Sequence, residues 1–472
     1  LHLSLRRQRQ MCIRDRGGAA RGRPSADLYR AVWRWHFFAG LFVLPFLITL
    51  SITGALYLFR NELDALIHAD LKRVEIQEGA AAAAPSAMIW SALSAQPGTA
   101  IKFTQPPAAD ASAEVTVVTP LGDRVAVYVN PYDGTVLGTL ADRGTVMWTV
   151  RYLHSLRYFG PVARGVIEIA GGLSILLVLT GIYLWWPRGQ AGGVVTVRGA
   201  PAKRVFWRDT HAVLGVVLGG FIVFLAITGM PWSGVWGAQV NAWANGTNFG
   251  YPSGVRVDIP MSQVKLSEEG TTTWSLDQAQ VPLSAPPATA APVPIGIDDA
   301  VAEFDRLGLH AGYAVNIPSG PTGVYTGSVY PNDLAQQRVV HLDQYTGAPL
   351  LDMSYADYGP LGRWLEFGIN VHMGQQFGLL NQLLLLAVCI GNVALAVSAG
   401  IMWWKRRPAG SMGVPPLPGQ RGAFAGILVI LAIGGIVFPL VGAALVTMLA
   451  MDILVVRLTR AMRRRRTSPS AT

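Results

Sequence analysis

The chain has 472 residues, 51% of them hydrophobic and only 14% charged, a balance that argues against a wholly water-soluble protein and reads as an integral membrane protein carrying sizeable polar domains. Its net charge of +10 would suit nucleic acid if the basic residues formed one patch, but 24 of the 38 Lys and Arg fall in 1–36, 188–210, 405–421 and 457–472, beside apolar runs, so no nucleic-acid partner is implied. Cys12 and Cys389 are the only cysteines, which excludes a disulfide framework, a CxxCH haem attachment and a cysteine-ligated iron–sulfur centre.

Residues 1–30 read as a basic cytoplasmic leader without order. The first transmembrane helix is predicted over 31–59; its uncharged run is long enough to cross a hydrocarbon core of about 30 Å and tolerates Pro45. Residues 60–147 follow as a polar domain, with an Ala-rich linker at 79–87, strands EVTVVT and RVAVYVN, and a turn from Pro131 to Gly134. An interfacial helix and the second transmembrane helix take 148–187, a cytoplasmic loop 188–207, and the third transmembrane helix 208–232. The second polar domain, 233–365, contains a Pro/Ala linker at 282–294 and an amphipathic helix over 295–309 capped near Asp298. Its RVVHLDQYTGAPLLD at 338–352 aligns with RVAVYVNPYDGTVLG at 124–138. A further interfacial helix and the fourth transmembrane helix take 366–404, and a cytoplasmic loop 405–421. The apolar stretch 422–456 is too long for one crossing and short for two, so two short helices bending at Pro439 are predicted, ahead of a basic tail at 457–472. The polar regions are acidic, with ten acidic against six basic residues in 60–147 and thirteen against five in 233–370; by the positive-inside rule they lie outside and the basic segments lie in the cytoplasm.

One segment of this order occurs twice. His154 is followed by Phe159-Gly160 and then by Trp185-Trp186, and His372 is followed at the same offsets by Phe377-Gly378 and Trp403-Trp404. His36 precedes Thr53-Gly54 by 17 residues, as His211 precedes Thr228-Gly229. The fold expected is therefore an α-helical membrane bundle with two outer α+β domains, duplicated as span–domain–span, with a histidine at four equivalent places.

A histidine at a membrane span is costly unless something satisfies it. Snorkelling toward headgroups is the plain alternative at any one position; four matched positions favour ligation. His36 and His211 open the first and third spans at the cytoplasmic side, and His154 and His372 precede the second and fourth at the outer side, so each pair draws one ring from each half. Two neutral imidazoles on either side of a planar macrocycle make a six-coordinate haem suited to electron transfer, so two b-type haems are expected. Zinc and copper fit less well, because no HxxxH, CxxC or carboxylate cluster accompanies these histidines. Arg151 and Arg157 are the candidates to pair with haem propionates, since the positive-inside rule does not explain them; Arg34 and Arg208 read as ordinary positive-inside residues, and Arg363 is a further neighbour. The Trp pairs read as interfacial anchors. His68, His310 and His341 read as surface or core residues, and His2 belongs to the leader.

A helix followed by strands closing in a (D/N)-x-Y-x-G-x-x-L hairpin, from Asn130 and again from Asp343, resembles the PepSY domain. Two such domains alternating with spans resemble the PepSY-associated transmembrane family. That resemblance implies a bacterial inner membrane, periplasmic PepSY-like domains and haem. It also implies an oxidoreductase passing electrons to a periplasmic ferric complex, a ferric siderophore or other chelate. The expected partners besides the bilayer are that complex and a separate donor, either quinol or a cytoplasmic reductase, because no P-loop, dinucleotide fingerprint or flavin domain is present. The alternative is a membrane-anchored PepSY module that regulates a periplasmic peptidase or signalling partner; a permease is disfavoured by the few spans and their lack of charge.

Overall fold

In the computed structural model of the chain, the described residues are 24–189, 192–244, 249–251, 261–265, 280–287, 292–408, 413–415 and 434–467. Helix α1 (Pro24–Leu58) leads through α2 (Arg60–Ile67) to the first polar region. There α3 (Pro85–Ala95) precedes β1 (Thr99–Thr104), β2 (Ala113–Val118), β3 (Arg124–Val129) and β4 (Val136–Ala141). Next come α4 (Val146–His154), α5 (Gly160–Trp185), α6 (Arg204–Gly229) and α7 (Val235–Ala244). The second polar region holds α8 (Ile297–Arg306), β5 (Ala314–Asn316), β6 (Val324–Val329), β7 (Arg338–Asp343) and β8 (Pro349–Ser354). Helices α9 (Pro360–His372), α10 (Gly378–Arg406) and α11 (Pro439–Thr467) complete the order.

Among the described residues, four helices are long and apolar enough to cross a membrane: Asp27–Leu58, Arg157–Trp185, Arg204–Trp232 and Gly378–Arg406. The first begins inside the segment read as leader, because Pro24 is preorganised for a first helical turn and Asp27 favours the positive end of the helix dipole.

The chain divides into two compact units. The first comprises Leu1–Leu44, Gly172–Gly219 and Val397–Thr472. Within it the Pro439 end of α11 lies against α5, where a Cβ on Gly172 would collide with Val441. Farther along α11, Asp452 accepts from Arg34 Nε at 2.9 Å and from the other arm of the guanidinium, which also donates to the Pro415 carbonyl. Of the stretch 422–456, residues 422–433 lie outside the described residues; the rest is helical to Val437, breaks at Phe438 and resumes at Pro439, where a proline has no N–H to give.

The second unit, Pro45–Gly171 and Gly220–Ala396, contains, besides a separate two-stranded sheet of Met261–Lys265 and Gln280–Pro282, an eight-stranded antiparallel sheet in the order β8-β7-β6-β5-β1-β2-β3-β4. The two polar regions, expected as separate domains, share this sheet. Their first strands join at its centre, with Lys102 opposite Asn316, Phe103 opposite Val315 and Thr104 opposite Ala314. Each half alone would expose that strand as an edge of unpaired N–H and C=O groups, and the pairing satisfies both. The core is likewise shared. Phe103, Val115 and Val127 from one half pack with Val315, Tyr325 and Val340 from the other, beneath Met88 and Ala92 of α3 and Ala300 and Phe304 of α8.

The two hairpins use the same turn chemistry. Asn130 accepts the Tyr132 N–H at 3.0 Å and Asp343 that of Tyr345 at 2.9 Å; the tyrosine hydroxyls then donate to the carbonyls of Ala109 and Pro321. Asp298, expected to cap its own helix, lies in the first turn of α8 and instead accepts from the backbone N–H and hydroxyl of Ser86 at the start of α3. It is Gly296 that stands at the N-cap of α8.

Candidate functional site

Each unit holds two of the four histidines. In the first, His36 of α1 and His211 of α6 have ring centres 6.4 Å apart and planes at 82°. Thr180 of α5 places Oγ1 2.9 Å from His36 Nδ1, and Ser398 of α10 places Oγ 3.4 Å from His211 Nδ1.

In the second unit His154 ends α4 and His372 ends α9. Thr53 Oγ1 is 2.9 Å from His154 Nδ1, and Thr228 Oγ1 is 2.9 Å from His372 Nδ1. Helix α4 is fixed at its start by the buried Asp64, which accepts from Thr145 Oγ1 at 2.7 Å and from the Met147 N–H at 3.2 Å. Helix α9 is fixed near its end, where Asn370 Nδ2 donates to the Asn332 carbonyl at 2.9 Å and Asn381 Nδ2 to that of Val371 at 3.1 Å. The chain then turns through Gly160 (φ +81°) and Gly378 (φ +56°), a conformation that L side chains avoid, which is why Phe-Gly follows both histidines. Burial pulls the pKa of His154 down to about 4; burial, together with the charge of His154, pulls that of His372 down to about 3. Both rings are therefore neutral at pH 7, the form that ligates a metal.

Among the described residues, no three His, Cys, Asp or Glu side chains converge as an ion held by protein alone would require. Paired imidazoles suit a metal that brings its other ligands with it, as haem iron does. Two imidazoles on opposite sides of one first-row metal, each nitrogen about 2 Å from it, have ring centres roughly 6 Å apart. The 6.4 Å between His36 and His211 fits that requirement.

The arginines are distributed unevenly. Arg151 and Arg157 are exposed, their guanidinium groups 4.6 Å from the centre of the Trp148 ring and 5.4 Å from that of Tyr152. Arg60, not singled out from the sequence, has its pKa lowered by burial, with the charge of Arg151 contributing, so these two cations share one neighbourhood. Arg34 and Arg208 are committed to Asp452 and Asp209.

The residues that sequence reasoning missed are the hydroxyls. Thr53 and Thr228 served only as markers of the repeat, yet each one approaches a histidine of the other pair. Thr180 and Ser398 stand at matching positions, 6 residues before Trp186 and Trp404, and that offset is the signal the sequence holds for them.

Helices long and apolar enough to span a membrane, together with a β-sheet domain, define a multi-pass membrane protein, and one pair of its histidines, His36 and His211, meets between two of those helices. Residues 33–406 match the PepSY-associated TM region, and the chain belongs to that family. Comparison with curated proteins gives no match.

Proposed function

We propose that the protein is an internally duplicated, inner-membrane di-haem b oxidoreductase that reduces a ferric complex, a ferric siderophore in particular, on the periplasmic side. The observation that carries this reading is the His36–His211 pair, with ring centres 6.4 Å apart and a hydroxyl from a neighbouring helix at each Nδ1. His36 and His211 would hold one haem, and His154 and His372 the other. When bound, the haems supply one-electron chemistry between a quinol or cytoplasmic reductase and the ferric substrate.

The chain's own residues ligate, orient and supply charge. Each hydroxyl occupies Nδ1, which directs ligation to Nε2. Arg151 and Arg157 on the α4 side, with Arg60 near Arg151, offer guanidinium groups to carboxylates such as haem propionates. The acidic balance of 60–147 and 233–370 supports a periplasmic position for the sheet, and the basic segments support a cytoplasmic one for the loops between spans. The mirrored strand order, β4 to β1 followed by β5 to β8, supports the duplication.

Full-length protein purified from a haem-replete host should be coloured, shift its Soret band on dithionite reduction and carry about two haems per chain by pyridine haemochrome. The reduced protein should be reoxidised by a ferric hydroxamate. Colourless protein would refute the reading.

A further inference from the structure

Four threonines lie 2.9 Å from a histidine Nδ1, and the three of them on helices also have their hydroxyl proton committed elsewhere. Thr53 Oγ1 lies 2.6 Å from the Thr49 carbonyl, Thr180 Oγ1 2.7 Å from that of Leu176, and Thr228 Oγ1 2.7 Å from that of Phe224. Two oxygens this close need a proton between them, and a carbonyl has none to give, so the threonine donates along its own helix. Its lone pair then faces the ring and accepts from Nδ1–H at 2.9 Å in all three cases. An imidazole with its proton on Nδ1 carries its lone pair on Nε2.

The residue after each of these threonines is glycine, and a Cβ there would stand against the ring. The distances to Cε1 would be 3.5 Å from Gly54 to His154, 3.4 Å from Gly181 to His36 and 3.3 Å from Gly229 to His372. Threonine and glycine together therefore hold the Nδ1–Cε1 edge of the ring against the helix. The fourth copy has Ser398-Ala399 in place of Thr-Gly, and it alone has the long contact of 3.4 Å, to His211.

We infer that the Thr-Gly dyads at 53–54, 180–181 and 228–229 are positioning elements that set the tautomer and rotation of His154, His36 and His372 for ligation through Nε2, and that His211 is the most loosely oriented of the four. This rests on the haem reading above. A hydroxyl is a weak acceptor, yet it still draws on the Nδ1 proton and makes Nε2 a stronger donor to ferric iron. Removing it should therefore raise the midpoint potential of the haem concerned and loosen its hold on the chain.

The test uses full-length protein carrying Thr53→Val, Thr180→Val or Thr228→Val, each paired with the Thr→Ser variant at the same position. Haem per chain after extended washing and midpoint potentials by optical titration are measured for each. Thr53→Val and Thr228→Val should each shift the same one of two components to higher potential and weaken its haem retention about tenfold or more. Thr180→Val should do so for the other component, and Ser should restore each. Wild type that carries haem, with Val variants unchanged in potential and retention, would overturn the positioning role alone. Wild type without haem would overturn the functional reading and this inference with it. If a Val variant does not fold, its Ser counterpart decides: a potential far from that of wild type would count against the hydroxyl as the operative group.

Discussion

His341 shows what burial alone does to an imidazole. It lies in β7 at 1% exposure with Nδ1 2.9 Å from Thr326 Oγ1, and burial lowers its pKa to about 4. A hydroxyl contact therefore also satisfies a structural histidine, and it is the meeting of two rings that sets His36 and His211 apart from it. Because the folded pKa lies below the unfolded value of about 6.5, the unfolded state binds the proton first. The contribution of His341 is complete above pH 6.5 and is lost as pH falls toward 4. The thermal midpoint should fall between pH 7 and pH 5, and His341→Gln should flatten that slope; an unchanged slope would count against the assignment. For the ligand pairs, His36→Ala and His211→Ala should each remove one and the same haem component, and His154→Ala and His372→Ala the other, as followed by potentiometric titration. Loss of the same component from His36→Ala and His154→Ala would break the pairing.

At the scale of elements, the clearest dependence is that of α11 on α1. Arg34 is buried and its charge is answered by Asp452, so Asp452→Ala would leave an uncompensated guanidinium at a cost of about 3–5 kcal/mol. Denaturation in detergent should show that loss, and Arg34→Leu in the Asp452→Ala background should recover part of it. Asp298 makes a milder test of the join between the two halves of the sheet. With its bonds to Ser86 removed, Asp298→Ala should lower stability by about 1 kcal/mol, the usual worth of a helix cap. The sequence pattern located α8 through its amphipathic spacing but assigned the cap wrongly, because an Asp in a first turn looks the same whether it serves its own helix or another.

For the molecule as a whole, charge should select the substrate. The 60–147 region has a net charge of −4 and the 233–370 region −8, so an anionic chelate is repelled and a cationic or neutral complex is not. The dithionite-reduced protein should reduce a neutral or cationic ferric hydroxamate faster than ferric citrate. Rising ionic strength should narrow the difference, as stopped-flow reoxidation would show. Faster reduction of ferric citrate at low salt would refute the electrostatic argument and leave the proposed haem sites standing. Within the 233–370 region, Trp243 is 55% exposed and lies edge-on to the half-buried Trp236, an aromatic surface open to a neutral or cationic complex.

The sequence by itself determined the apolar runs, the matched offsets and the positions of the four histidines. Those signals are local: an apolar run states its own length, and matched offsets need only counting. Tertiary structure alone decided which hydroxyl meets which ring, since Thr180 and His36 are 144 positions apart, as are Thr228 and His372. It also decided that two polar regions expected as separate domains close into one sheet through Phe103 and Val315. The physical reason is the same in both cases. An unpaired strand edge and a buried Nδ1–H must each find a partner, but neither demand says where along the chain that partner lies.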